Sequence, residues 1–245
     1  MNIKILMTTA IACMTLPSLA LSAGQSPKNA TTQITSQQIM QDKVSDEIRS
    51  LQTQWARIKY QTPDKAIQIE KIHKLEVSAA AVSNTHPNSA EPKIWEAIIL
   101  ATDAGIDSGF SALSKIKKAR ELLEDALKID ANALNGSAHT SLGSLYYQVP
   151  GWPISFGNDN EARKHLKKAL AINPDGIDPN YFYGDFLYQD EKFDDAKEYL
   201  EKALKAPSRN GRKLADEGRR QEIRAALAKL RDTSRLKQHL ENASQ

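Results

Sequence analysis

The sequence predicts an all-α fold, a solenoid of antiparallel helix pairs closed by a C-terminal capping helix. Three observations predict it. One pattern is written twice: Ala162, Leu166, Ala169 and Leu170 recur 34 residues later as Ala196, Leu200, Ala203 and Leu204. A third copy in the same register is Ala119, Leu123, Ala126 and Leu127. Units of this size are helix pairs that bury their apolar faces only by stacking on neighbours. Outside the repeats, apolar residues recur at spacings of three and four, the period of a helix with one buried face. Lastly, 11 Gly and 10 Pro in 245 residues are too few for a disordered chain or an all-β chain of tight turns.

Residues 1–23 carry the pattern of a signal peptide. Lys4 supplies the charged start, Ile5 to Leu21 the apolar run, and Ala20, Ser22 and Ala23 the small residues of a cleavage site. The run is shorter than a membrane span needs and is interrupted by Pro17, so no integral membrane span is expected in the mature chain. Cys13, the one cysteine, lies inside this segment, which leaves the mature chain without disulfides in an exported, periplasmic or secreted setting. Residues 24–37 are polar and without apolar periodicity, a flexible linker ahead of the helical domain at 38–245.

In the first unit, at about 38–88, Val44, Ile48, Leu51, Trp55 and Ile58 form one apolar stripe. Thr62-Pro63-Asp64 then reads as a cap, a first-turn proline and an early acid, and Ile72, Leu75, Ala79 and Val82 form the face of the next helix. The second unit, 91–131, opens on Glu91-Pro92, carries Trp95 and Ile98, and holds extra residues around Asp103–Ser111. The third, 136–174, contains an insertion, Tyr-Gln-Val-Pro-Gly-Trp-Pro-Ile-Ser-Phe-Gly, before an Asn158–Glu161 capping box. The fourth, 178–207, is uninterrupted, with Asp178 as expected cap and Pro179 at the first helical position. Gly184 gives its two helices room to approach. A terminal helix at 211–240 carries Leu214, Ile223, Leu227 and Leu230.

Leu142-Gly143-x-x-Tyr146, Ala162, Leu166, Ala169 and Pro174, with Gly184, Phe193, Ala196, Leu200 and Ala203, resemble the tetratricopeptide signature. Its tryptophan position holds His139 in one unit and Asn180 in the next. The resemblance implies a right-handed, TPR-like solenoid used for protein–protein interaction. The stretch Val149-Pro150-Gly151-Trp152-Pro153-Ile154-Ser155-Phe156-Gly157 is similar to one in the T component of tripartite ATP-independent periplasmic (TRAP) transporters, and also looks like the helical domains of regulators of microtubule dynamics. The T-component resemblance implies a solute-binding protein as partner.

The first helices of stacked repeats line a concave groove. The register places Thr140, Ser144, Tyr147 and Gln148 on that face, with Tyr181, Asp185, Tyr188 and Gln189 as their equivalents. Tyrosine offers a broad apolar face and a hydroxyl, which suits a partner contact. The same rings also suit packing beneath the insertion. Trp152 and Phe156 in the insertion loop either reach over the groove mouth or fold back on the core.

Other chemistries find little support. His73, His86, His139, His165 and His239 share no i, i+3 or i, i+4 spacing on one helix, so no zinc pair and no other cofactor is expected. There is no nucleophile elbow, phosphate loop or CxxC, so the chain is not expected to be an enzyme. Between Lys205 and Glu241, eleven basic side chains face five acidic ones, without interleaved aromatics. With an export signal, nucleic acid is not the expected partner of that tail. Pairs such as Asp216–Arg220 on a solvated helix account for it. The expectation is a non-catalytic scaffold for a protein or peptide in the cell envelope. The alternative is a small-ligand-binding or transporter-accessory protein of the T-component type.

Overall fold

The computed structural model describes residues 27–109 and 111–243, and the side chains of 38–109 and 111–235. The expected signal peptide lies outside the described residues. Two compact units divide at Met40: Met1–Met40, described from 27 onward and helical there, and Gln41–Gln245.

Nine α-helices run through the described residues: α1 (Pro27–Gln61), α2 (Lys65–Thr85), α3 (Ala90–Ile106), α4 (Ala112–Ile129), α5 (Ala133–Gln148), α6 (Asp159–Ile172), α7 (Ile177–Gln189), α8 (Phe193–Lys205) and α9 (Lys213–Ala243). Among these residues there is no strand. The fold is the all-α helical-repeat solenoid that the periodicity predicted.

Two boundaries differ from expectation. α1 begins at Pro27, so residues 27–37 are helical and not an irregular linker. The reason is local: no Gly or Pro interrupts the chain between Asn29 and Gln61, and Pro27 is suited to a first helical turn. α2 is capped by Asp64, not Thr62, because the Asp64 carboxylate accepts from the Ile67 amide at 2.9 Å. Asn158 does cap α6, accepting from the Asn160 and Glu161 amides.

The pairs α3–α4, α5–α6 and α7–α8 pack most intimately. The repeated positions explain why. Ala119, Ala126, Ala162, Ala169, Ala196 and Ala203 are fully buried, as are Leu166 and Leu200. A Cβ at Gly143 would lie 2.5 Å from Leu166 Cγ, and one at Gly184 2.9 Å from Leu200 Cγ. The two helices of each pair meet there without room for a methyl group. A larger side chain would overpack the contact at about 1–3 kcal/mol.

Three apolar clusters follow one another along Gln41–Gln245. Val44, Ile48, Leu51, Trp55 and Ile58 of α1 pack with α2, with Trp95 and Ile99 of α3, and with Ala215 of α9. Ile94, Ala97 and Leu100 of α3 pack with α4 and with Ala138, Leu142 and Leu145 of α5. Leu166, Phe186, Leu200, Ile223 and Leu230 join α6 through α9. Helix α9 thus contributes to clusters at both ends of the stack. Across the second pair, Lys115 of α4 meets buried Asp103 of α3 and, at 3.1 Å, Glu76 of α2.

Candidate functional site

The first helices of all four pairs, α1, α3, α5 and α7, share one cavity of about 520 Å³ with α9 and the segment before it. Its wall is aromatic on one part and charged on another. Trp55 and Trp95 meet edge to face at 5.7 Å, and the Trp55 indole N–H donates to Thr102 Oγ1 at 2.8 Å. Trp95 is 3% exposed, and its own indole N–H has no acceptor among the described residues.

The charged part is a network built by closure of the chain. Asp178 accepts from Arg209 at 2.7 Å and from Arg219 Nε at 2.8 Å. Arg219 also donates to Glu222, and Lys59 pairs with Glu222 at 3.0 Å. Asp216, behind the wall, takes Arg209 at 2.8 Å. The Arg219 guanidinium lies 4.5 Å from the Tyr181 ring and 4.7 Å from that of Phe182. Burial pushes the pKa of Lys59 down, with Arg219 adding to the effect. Burial pushes the Tyr181 hydroxyl up to about 12.

This corrects two expectations. Asp178 is not a helix cap: α7 starts at Ile177 after Gly176, and the carboxylate is turned to the arginines of the C-terminal segment. Nor is the basic tail simply a solvated face, since Arg219 is 6% exposed and Asp216 pairs with Arg209, not Arg220.

The backbone at the cavity is also unusual. Leu134, Asn135 and Gly136 take successive left-handed conformations, φ 49°, 55° and 76°, at the start of α5. Leu134 and Asn135 line the cavity. For residues with a Cβ this conformation costs about 1–2 kcal/mol each. Strain of that kind concentrates where a binding surface is shaped.

The groove residues projected from the repeat register divide in two. Thr140, Ser144, Gln148 and Tyr181 line the cavity. Tyr147, 9% exposed, sits in the core against Phe186, its hydroxyl donating to Asp185 at 2.7 Å. Burial and Asp185 together raise its pKa well above the ordinary value. Tyr188 is half-buried, its hydroxyl 3.0 Å from Thr233 of α9, and Gln189 is exposed beside Asp185 at 3.4 Å. The cavity therefore does not bring Tyr147, Asp185, Tyr188 or Gln189 to its wall.

The insertion loop also divides. Phe156 folds back, edge-on to Tyr146 at 5.5 Å and beneath Arg120 at 4.5 Å. Trp152 is 90% exposed, on a turn closed by a Gly151–Gly157 bridge and by the Gly157 amide donating to Pro150 at 3.0 Å.

Sequence reasoning missed the cationic wall and the Trp55–Trp95 pair as cavity groups. Trp95 stands at the same helical position as His139 and Asn180, a signal that was available. The histidines offered none: His139 and His165, 26 residues apart, meet at 2.9 Å between their Nδ1 atoms. No group of three or more His, Cys, Asp or Glu among the described residues could hold a metal ion. Nor is any described helix long and apolar enough to cross a membrane. What the cavity offers is aromatic faces, donors and cations, groups that hold a ligand.

Stacked antiparallel helix pairs whose first helices converge on one concave cavity define a repeat scaffold with a binding surface. Residues 155–212 match the family model described as tetratricopeptide repeat. Among solved structures, one described as the functional characterization of Pseudomonas aeruginosa pilF is similar at 17% identity. The similarity covers 82% of this chain and 99% of that one, with a TM-score of 0.33, so the fold argument rests on the helix pairs and not on this likeness. None of the curated proteins compared with the chain matches it.

Proposed function

We propose that this chain is an exported, non-catalytic scaffold that holds a segment of a protein or peptide partner in the groove between its first helices and α9. One observation carries the reading: four successive first helices and the C-terminal segment supply the walls of a single cavity. Core packing alone would not leave a partly open space of this size, lined by Trp55, Trp95, Thr140 and Gln148. The exposed Trp152 adds an apolar contact on the insertion loop. Export is supported by Lys4 and the apolar run to Leu21, and the similarity of 149–157 to the T component supports a solute-binding protein as one class of partner.

The test is site-specific photocrosslinking in the envelope fraction. A photoreactive residue at Gln148, exposed at the cavity wall, should give a discrete adduct, and one at exposed Lys168 on α6 should give none. Equal adducts from both sites, or none from Gln148, would overturn the groove as the binding surface. Mass spectrometry of the same fraction should find a mature N-terminus between Leu21 and Gly24. Recovery of peptides spanning Ser22 would overturn cleavage.

A further inference from the structure

The cavity carries a charge that its own walls do not neutralise. Four cations line it, Lys59, Arg209, Arg212 and Arg219, with two carboxylates, Asp178 and Glu222. Every oxygen of those carboxylates is engaged: Asp178 by Arg209 and Arg219, Glu222 by Lys59 and Arg219. Arg209 is further neutralised by Asp216. Arg212 is left over. It makes no ion pair among the described residues, and Asp178 and Asp216 act on it only from beyond ion-pair distance. Its guanidinium lies over the Trp95 ring, 5.0 Å from the centroid, and its Nε is buried without an acceptor.

The position of Arg212 sharpens the imbalance. Arg212 immediately precedes α9, where its own carbonyl accepts from the Asp216 amide at 2.9 Å. That helix end favours an anion and not the cation the sequence puts there. The Trp95 indole N–H, on the residue stacked under Arg212, is a second buried donor without an acceptor. Buried donors are almost always paired in folded proteins. These two atoms are closed to solvent, so what a guest can reach is the terminal nitrogens of half-buried Arg212, a charge without a counter-ion on the cavity wall. Burial, followed by the charge of Arg209, pushes Arg212 down to about 10, which leaves it charged at neutral pH.

We propose that the cavity receives an acidic segment of the partner: one Asp or Glu side chain pairs with Arg212, and an adjacent apolar side chain lies against Trp55 and Trp95. The proposal deepens the scaffold reading and rests on it. A single unpaired cation matches a single negative charge. A phosphate dianion would add charge beside Asp178 and Glu222, whose oxygens are already engaged. A hydrocarbon-chain carboxylate would satisfy Arg212 but leave the Ser144 hydroxyl and the Gln148 side-chain carbonyl facing methylenes, whereas backbone amides match them.

The test uses the full chain and a fluorescein-labelled, C-amidated peptide, Ala-Phe-Glu-Leu-Ala, read by anisotropy. The expected result is saturable binding that weakens at least tenfold when Gln replaces Glu. Arg212→Gln should bring the Glu peptide down to the Gln level, and Arg212→Lys should keep part of the difference. Equal binding of the Glu and Gln peptides by the unmodified chain overturns the charge pairing, and this comparison decides even if Arg212→Gln fails to fold. Octanoate that displaces the Glu peptide at lower concentration than a matched unlabelled peptide overturns the peptide assignment in favour of a small carboxylate. No binding of either peptide, with a discrete adduct still formed at Gln148, overturns the acidic segment and leaves the scaffold standing. No peptide binding and no adduct overturns both.

Discussion

Replacing Asp178 with Asn tests whether the C-terminal segment is held to the repeats by charge. The carboxylate accepts two guanidinium hydrogen bonds, from Arg209 at 2.7 Å and Arg219 at 2.8 Å, with 27% of its side chain exposed. Hydrogen bonds to charged groups contribute about 1.5–3 kcal/mol each, which would put the pair near 5 kcal/mol. Three features reduce that. Arg209 keeps Asp216, Arg219 keeps Glu222, and the amide oxygen of Asn can still accept one bond. The change strands no buried charge, so the expected loss is about 2–3 kcal/mol, short of the ~3–5 kcal/mol for breaking an isolated buried pair. The pH dependence supplies a second readout. Burial alone would raise the Asp178 pKa, but Arg219 and then Arg209 outweigh it and hold the group well below the ordinary carboxylate range. A folded pKa below the unfolded value of about 3.9 gives stability that is full above that value and is lost as pH falls through the folded pKa. Urea denaturation of the two chains, followed by circular dichroism, should show a gap at neutral pH that narrows below about pH 4. A neutral-pH gap under about 0.5 kcal/mol, or one equally wide in acid, would refute the reasoning.

Tyr147→Ala removes a core ring and its hydrogen bond to Asp185, so it should destabilise by about 3–5 kcal/mol, whereas Trp152→Ala on the exposed turn should stay within about 0.5 kcal/mol. Similar urea midpoints for the two would contradict their placement. Burial, and then the neighbouring His139, push His165 down to about 4. Its unfolded pKa is about 6.5, so stability held above that value should be lost as pH falls from about 6.5 toward 4. His165→Gln should flatten that slope in a pH series of denaturation midpoints, and a slope unchanged by the substitution would count against the histidine pair as its source.

The stack was legible because its contacts repeat. A small residue every seven positions in each second helix, with Leu166 and Leu200 between, is a periodic demand that packing imposes and a single sequence displays. The groove was legible to within a side chain. Ser144 and Gln148, four apart, share a face, but Tyr147 lies about 100° round the helix from Gln148, where the groove edge and the core meet. Periodicity alone does not say on which side of that edge a ring falls. The charge network was not legible, since Asp178 meets Arg209 and Arg219 across 31 and 41 residues. In the sequence those arginines are indistinguishable from solvated ones such as Arg224. The α5 entrance was equally hidden, because Leu134 has no local reason to adopt a positive φ.

One position recurs in three units with three different residues, and each meets a different neighbour. Trp95 lies under Arg212 of the C-terminal segment. His139 meets His165 of its own pair. Asn180 donates to the carbonyls of Pro174 and Gly176, both at 2.8 Å. The units are therefore alike in backbone and unlike in dependence: the first needs the end of the chain, the second its companion helix, and the third only the turn before it. Duplicating or exchanging whole units, the usual way such arrays are lengthened, would preserve the Ala and Leu packing yet leave an indole or an imidazole facing the wrong neighbour. The order of the pairs is fixed by these three residues more than by the repeat that first reveals them.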